Sequence, residues 1–407
     1  MAKQHLEPTD PAAAAGPPPV PAGGDALASY LRAQATEFLR ALRLHRETGA
    51  GAHATGGQGA GARGAGAHGP DGASASDGPV DAARALRRAA RRLSGTLHTF
   101  QPLLDAEWAE SMRPELAWLS GTLALEHAYA SRLERLLQAL HRLSGTALFP
   151  TQQQAGRTTA TVSAPTGADS PAPLAPTRPS PADRGSLTVG AAKAGALLDR
   201  QLTLARTRAH STALQALGSS RFHAVADKVA LLASEVPLKD TTASTTDLRP
   251  LAAAARDRLT DAVAALPLVT AGNPYNAQAL IHGLSPDPAP HPQDTQWHQV
   301  RLLLRLHRYA LEVLSGEHAD GTDGTDGAGR TDGGGTDVRL LAAGEALDRH
   351  RDASEAAAAA AQAARTPRIA PATAYALGVL HADQRHEVEA ARYAFQHSWR
   401  KEPIRLP

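Results

Sequence analysis

The chain is 407 residues long and contains no cysteine, so disulfide frameworks, thiolate metal sites and cysteine nucleophiles are excluded. Its 42 basic and 40 acidic side chains leave a formal charge of only +2, yet 37 of the cations are arginine and 5 are lysine, so clusters of fork-shaped donors can hide inside a near-neutral sum. Aromatic residues make up 4% of the chain, and alanine and leucine supply most of the 42% that is hydrophobic, a mix that disfavours β-rich folds and predicts an all-α protein.

In chain order, residues 1–24 are Pro- and Ala-rich without the apolar segment of a secretory signal, and read as a disordered tail. Hydrophobic periodicity then predicts helices over 25–47, 80–100, 104–143 with a break near Pro114, 187–217, 221–235, 246–265, 294–314, 337–364 and 371–399. Between them, 49–78 is dominated by Gly and Ala, 150–185 by Pro, Thr, Ala and Ser, and 316–336 by Gly, Thr and Asp. None of these holds enough apolar surface to offset its ordering entropy, so they are expected to be flexible inserts or linkers, and the Pro-rich 285–293 a connector. Asp320, Asp323, Asp326 and Asp332 lack the bidentate glutamate and fixed spacing of a calcium loop, so 316–336 is read as linker and no metal is assigned. No strand is predicted. No apolar run approaches about 18 residues, so no membrane span is expected and the protein is read as soluble and cytoplasmic.

Two of these helices carry cationic stripes. At about 100° per residue, Arg84, Arg87 and Arg91 fall within about 60° of one another, with Arg88 and Arg92 widening the stripe on one side. In 294–314, His298, Arg301, Arg305 and Arg308 fall within about 80°, with Glu312 ending the row and leucines on the remaining faces. One such stripe is ordinarily the solvated face of an amphipathic helix. Two make a different case: like charges three and four residues apart repel by a few tenths of a kcal/mol per pair, so rows with few interleaved carboxylates suit an extended polyanion.

These residues resemble, in type and in order, the signatures of the CHAD (conserved histidine α-helical domain) family. The first signature stands here as Arg84-Ala-Leu-Arg87-Arg88-Ala-Ala-Arg91-Arg92-Leu93-Ser94, followed by Thr99-Phe100 and Pro102-Leu-Leu-Asp105; the second is His298, Arg301, Arg305, Arg308 and Tyr309. Further likeness runs through Trp118 to Leu136, Leu347 to Asp352, and Ala376 to Trp399. Three departures fall in the first half: Arg84 occupies the histidine position, Ser94 an arginine position, and His127-Ala128 the place of an Arg-Asp pair. The resemblance implies two similar helical bundles related by a pseudo-twofold axis around a basic central cavity or groove, with a first half over 25–149 and a second over 186–403. It also implies non-catalytic binding of inorganic polyphosphate, without a cofactor, and polyphosphate granules as one destination. The contacts expected are Arg87, Arg91, His298, Arg301, Arg305 and Arg308, supported by Arg84, Arg88, Arg92 and, near Asp352, His350.

Nucleic acid is a second candidate ligand, since phosphate-directed arginines do not by themselves separate it from polyphosphate. The stripes are interleaved with Leu and Ala instead of stacking aromatics, which disfavours it. Phosphohydrolase chemistry needs a carboxylate-held metal or a phosphate-cradling loop, and neither pattern occurs. A helical interaction scaffold whose degenerate first half has lost its ligand is the remaining alternative.

Overall fold

The computed structural model describes residues 23–56, 74–145, 181–239, 247–268, 270–272, 284, 291–315 and 338–399. Among these residues there are nine α-helices and no strand: α1 (Gly23–Gly56), α2 (Ser74–Thr99), α3 (Ala106–Ser144), α4 (Pro181–Leu217), α5 (Ser220–Ser234), α6 (Arg249–Ala264), α7 (Pro292–Ser315), α8 (Val338–Ala364) and α9 (Pro371–Trp399). The fold is all-α, as the composition requires. None of the described helices is long and apolar enough to cross a membrane, and no described group of His, Asp or Glu is arranged to hold a metal. The predicted tail, most of the 49–78, 150–185 and 316–336 stretches, and most of the 285–293 connector lie outside the described residues.

The boundaries follow local chemistry. Asp105 caps α3 by accepting from Trp108 N at 2.7 Å, and Gly145 ends that helix in the left-handed conformation, φ 70°, with its N–H on Arg142 O. Ser219 caps α5 in the same way, accepting from Phe222 N at 3.2 Å. One expectation fails: α3 runs unbroken through Pro114. Pro114 and Glu110, the residue whose carbonyl loses its donor, are both exposed, so water takes the missing bond and the ring meets no neighbouring helix. Helices α1 and α2 also reach into the Gly/Ala stretch, to Gly56 and from Ser74.

Three apolar clusters hold the helices. The first joins α1, α2, the front of α3 and α5 around Phe38, Leu93, Phe100 and Phe222. The second joins the back of α3 to α4, α8 and α9 around Leu136, Leu198 and Leu377. The third joins α6, α7, the front of α8 and the back of α9 around Trp297, Leu347 and Phe395. Consecutive helices α1 to α4 pack in order, as do α6 to α9, and the two series meet where α2 touches α7, α3 touches α8 and α4 touches α9. Helix α4 thus lies along α3 as well as against α9, although the 150–185 segment separates it from α3 in sequence. The α2–α7 meeting is what brings the two arginine-bearing helices together.

Candidate functional site

At the α2–α7 crossing the helices approach so closely that a Cβ on Gly95 would lie 2.5 Å from Cδ2 of Tyr309. Beside this contact the arginines of both stripes come within Coulombic reach of each other and of Arg351 on α8. Burial depresses the Arg87 guanidinium, and Arg351, Arg84, Arg305 and Arg88 depress it further. Arg91 is lowered to about 10 by burial and then by Arg87, with Arg301 and Arg351 adding to the effect. Arg301 and Arg305 are also lowered, by burial first. Cations that weaken each other in a half-buried setting form a site whose electrostatic cost falls when an anion enters.

Carboxylates offset this only in part. Asp348 on α8 is ion-paired with Arg301 and stands 4.0 Å from Arg305. One turn on, Asp352 holds Arg351 at 2.7 Å and Glu355 reaches the same arginine at 3.6 Å while also pairing with Arg132. Against the burial that would lower it, these acids raise Arg351. For Arg87 and Arg91 the described residues supply no ion-pair partner, and Arg88 is exposed without one.

The other predicted residues are placed as follows. Arg84 is exposed and paired with Asp81 at 3.0 Å. Arg92 turns away from the rows to Glu312, Nε to Oε2 at 2.8 Å, where Tyr30 also donates at 2.8 Å. Burial opposes its charge, but the hydrogen bond and the charge of Glu312, with Tyr30 and Tyr309, together outweigh this and raise it. Arg92 is therefore neutralised within the α1–α2–α7 packing and is not a free donor. Arg308 is half-buried with its Nε unpaired among the described residues, in an opening left by Gly344. His298 is half-buried, its Nε2 has no hydrogen-bond partner among the described residues, and burial lowers its pKa.

His350 departs from its expected role. Its side chain is 1% exposed, its ring stacks on Trp297 at 5.5 Å, and its Nε2 accepts from Arg392 Nε at 3.3 Å, so it backs His298 from the core instead of presenting an N–H to a ligand. It belongs to a buried network centred on Asp294, which accepts from Arg385 Nη1 at 2.7 Å, Arg392 Nη2 at 2.6 Å and Ser354 Oγ. Glu389 pairs with Arg392 at 2.7 Å, so two acids and two arginines balance inside the core. Burial opposes ionisation of Asp294, but the guanidinium hydrogen bonds of the network, Arg385 foremost, hold its carboxyl well below the usual carboxylate range.

Next to the arginine rows, α1 to α4 line a cavity of about 210 Å³ that is partly open to solvent, with Leu214 52% exposed. Arg84, Arg87 and His127 are among its polar lining, and Leu123, Ala130 and Leu214 among its apolar walls.

The family model described as CHAD domain matches residues 67–325, more than half of the chain. The chain belongs to the CHAD family. Among solved structures it is similar to PptA from Streptomyces chartreusis, with 61% sequence identity and a TM-score of 0.66, over 94% of this chain and 100% of that one. No curated protein matches. The CHAD match spans α2 to α7 and so takes in both arginine stripes, whereas α8 and α9, with Arg351, Asp348 and the partners of Asp294, follow it. Arg351 is the site residue that the stripe argument misses. Its signal was present in the sequence as Asp348, Arg351, Asp352 and Glu355, spaced on one face of α8 at three- and four-residue intervals.

Proposed function

We propose that the protein binds inorganic polyphosphate, without catalysing its conversion, through Arg87 and Arg91 of α2, Arg301 and Arg305 of α7, and Arg351 of α8, with His298 and Arg308 at the edges of the site. The observation that carries this reading is the convergence of four half-buried arginines from two helices, each depressed by burial first and by neighbouring cations after it, two of them with no carboxylate partner among the described residues. Guanidinium groups suit the ligand because each donates two parallel hydrogen bonds to phosphate oxygens and keeps its charge near neutral pH. Membership of the CHAD family supports the same ligand. Polyphosphate granules are then the expected location, and fluorescence of a tagged chain beside a granule stain tests that.

The deciding experiment is calorimetric titration with long-chain polyphosphate at two salt concentrations, with a DNA oligomer of equal charge as control. Tight binding that weakens steeply with salt and that DNA does not reproduce is the expected result. Replacing Arg301 and Arg305 together by Ala should weaken it at least tenfold with the helix content unchanged. Equal binding of DNA would point to a general polyanion site, and no binding at low salt would leave an interaction scaffold as the better reading.

A further inference from the structure

The cavity beside Arg87 has a chemistry that polyphosphate does not use. A chain of charged tetrahedra gains nothing from apolar walls, yet the floor of this cavity is built from Leu123 and Ala130 of α3 and Ala213 and Leu214 of α4. Space remains because alanine stands where a larger side chain would fill it. The volume, about 210 Å³, exceeds the roughly 150 Å³ in which a fully apolar cavity accommodates benzene.

Arginines share the lining. Arg84 and Arg87 come from α2, beside the His127 imidazole of α3, which burial and these arginines keep neutral, while Glu126, the carboxylate in the wall, is already taken up by His210 at 2.9 Å and Arg206 at 3.7 Å. Arg87 both lines the cavity and lies within Coulombic reach of Arg305 and Arg351, so it is shared between the cavity and the arginine rows. A mostly apolar cavity with a few polar groups in its lining is the ordinary build of a small-molecule site.

We propose that this cavity is a second site, for organic phosphates: a compact apolar body of nucleobase or five-carbon prenyl size sits among Leu123, Ala130, Ala213 and Leu214, and its phosphates lie on Arg84 and Arg87. The proposal rests on the reading that these arginines bind phosphate, and adds to it a ligand that inorganic polyphosphate does not resemble. Because Arg87 is shared, an organic triphosphate in the cavity competes with polyphosphate for part of the row.

The test compares ligands of matched phosphate number by calorimetry in EDTA: ATP against tripolyphosphate, and dimethylallyl diphosphate against pyrophosphate. Burial of the apolar body predicts that at least one organic ligand binds about tenfold tighter than its inorganic reference. ATP exceeding its reference assigns a nucleoside phosphate, and the diphosphate exceeding its reference assigns a prenyl one. Ala130→Leu, and separately Ala213→Leu, should erase the advantage and leave tripolyphosphate binding unchanged, with circular dichroism reporting the fold. Organic ligands no tighter than their references, or an advantage that survives both substitutions, would overturn the proposal. The two readings fail separately: long polyphosphate that does not bind while ATP does would remove the polyphosphate reading alone, and the reverse would remove this one alone.

Discussion

Gly95 and Tyr309 meet where α2 crosses α7, at a separation that leaves no room for a side chain on Gly95: an added Cβ would stand 2.5 Å from the Tyr309 ring and 3.2 Å from Leu306. Gly95→Ala should therefore force the helices apart and cost about 1–3 kcal/mol of stability. Thermal unfolding checks the stability, and polyphosphate titration should show weaker binding because the two arginine rows separate together with the helices. A variant with wild-type melting temperature and affinity would mean that the crossing is not needed to set the spacing of the rows.

Asp348 pairs with Arg301 and stands 4.0 Å from Arg305, so it competes with any anion that these two arginines bind. Being tethered, it competes at a high effective concentration with small anions and far less with a polymer that engages several arginines at once. Asp348→Asn should raise affinity for orthophosphate and tripolyphosphate several-fold and for long polyphosphate by less. An affinity that falls for every ligand would show that Asp348 orders the arginines instead of competing for them.

Removing one charge from the buried network leaves the others uncompensated. Asp294→Asn should cost about 3–5 kcal/mol, measured by denaturant unfolding. The same core predicts a pH dependence. Burial lowers the pKa of His350 from 6.5 to about 4, so the unfolded chain takes up a proton that the folded chain refuses. The stability this confers is complete above pH 6.5 and is lost as pH falls to about 4, by about 3 kcal/mol. His350→Gln should flatten that limb and leave the shallower slope that His98, His127 and His298 contribute, since each of them is also lowered. A pH profile unchanged by the substitution would mean that His350 is not the group refusing the proton.

His298 links binding to protons. Burial depresses it in the free protein, with Arg301 and Arg351 adding to the effect while Asp294 and Glu355 oppose it, so it is neutral at pH 7. A polyanion beside it raises its pKa, so binding near pH 6 should take up protons and affinity should rise as pH falls. Calorimetry in two buffers of different ionisation enthalpy measures the uptake, and His298→Asn should reduce it. Uptake that is the same in the variant would assign it to another group, His127 being the nearest candidate by charge.

What was legible in the sequence was whatever is carried by one helix at a time. The 3.6-residue period placed all nine described helices and showed both cationic stripes, because each is a property of a single element. The break at Pro114 was misread because its cost depends on whether Glu110 faces solvent, which is a fact of packing. The packing of Arg92 and His350 is hidden for the same reason: each sits on a legible stripe or motif, but Glu312 and Asp294, which claim them, come from helices distant in the chain. The cavity lay beyond the sequence altogether, since it is made by alanines whose smallness matters only where four helices converge.

The Glu312 carboxylate gathers Tyr30 from α1 and Arg92 from α2, partners 282 and 220 residues away along the chain. Such closures are slow, because the intervening loop entropy is lost before any contact repays it. During synthesis α2 emerges long before α7, and its arginine row has neither the facing helix nor Glu312 until more than 200 further residues have been added. The paired arginine rows are thus among the last parts of the fold to assemble, and a chain halted before α7 would carry the α2 row, packed on α1 and α3, without the row that faces it.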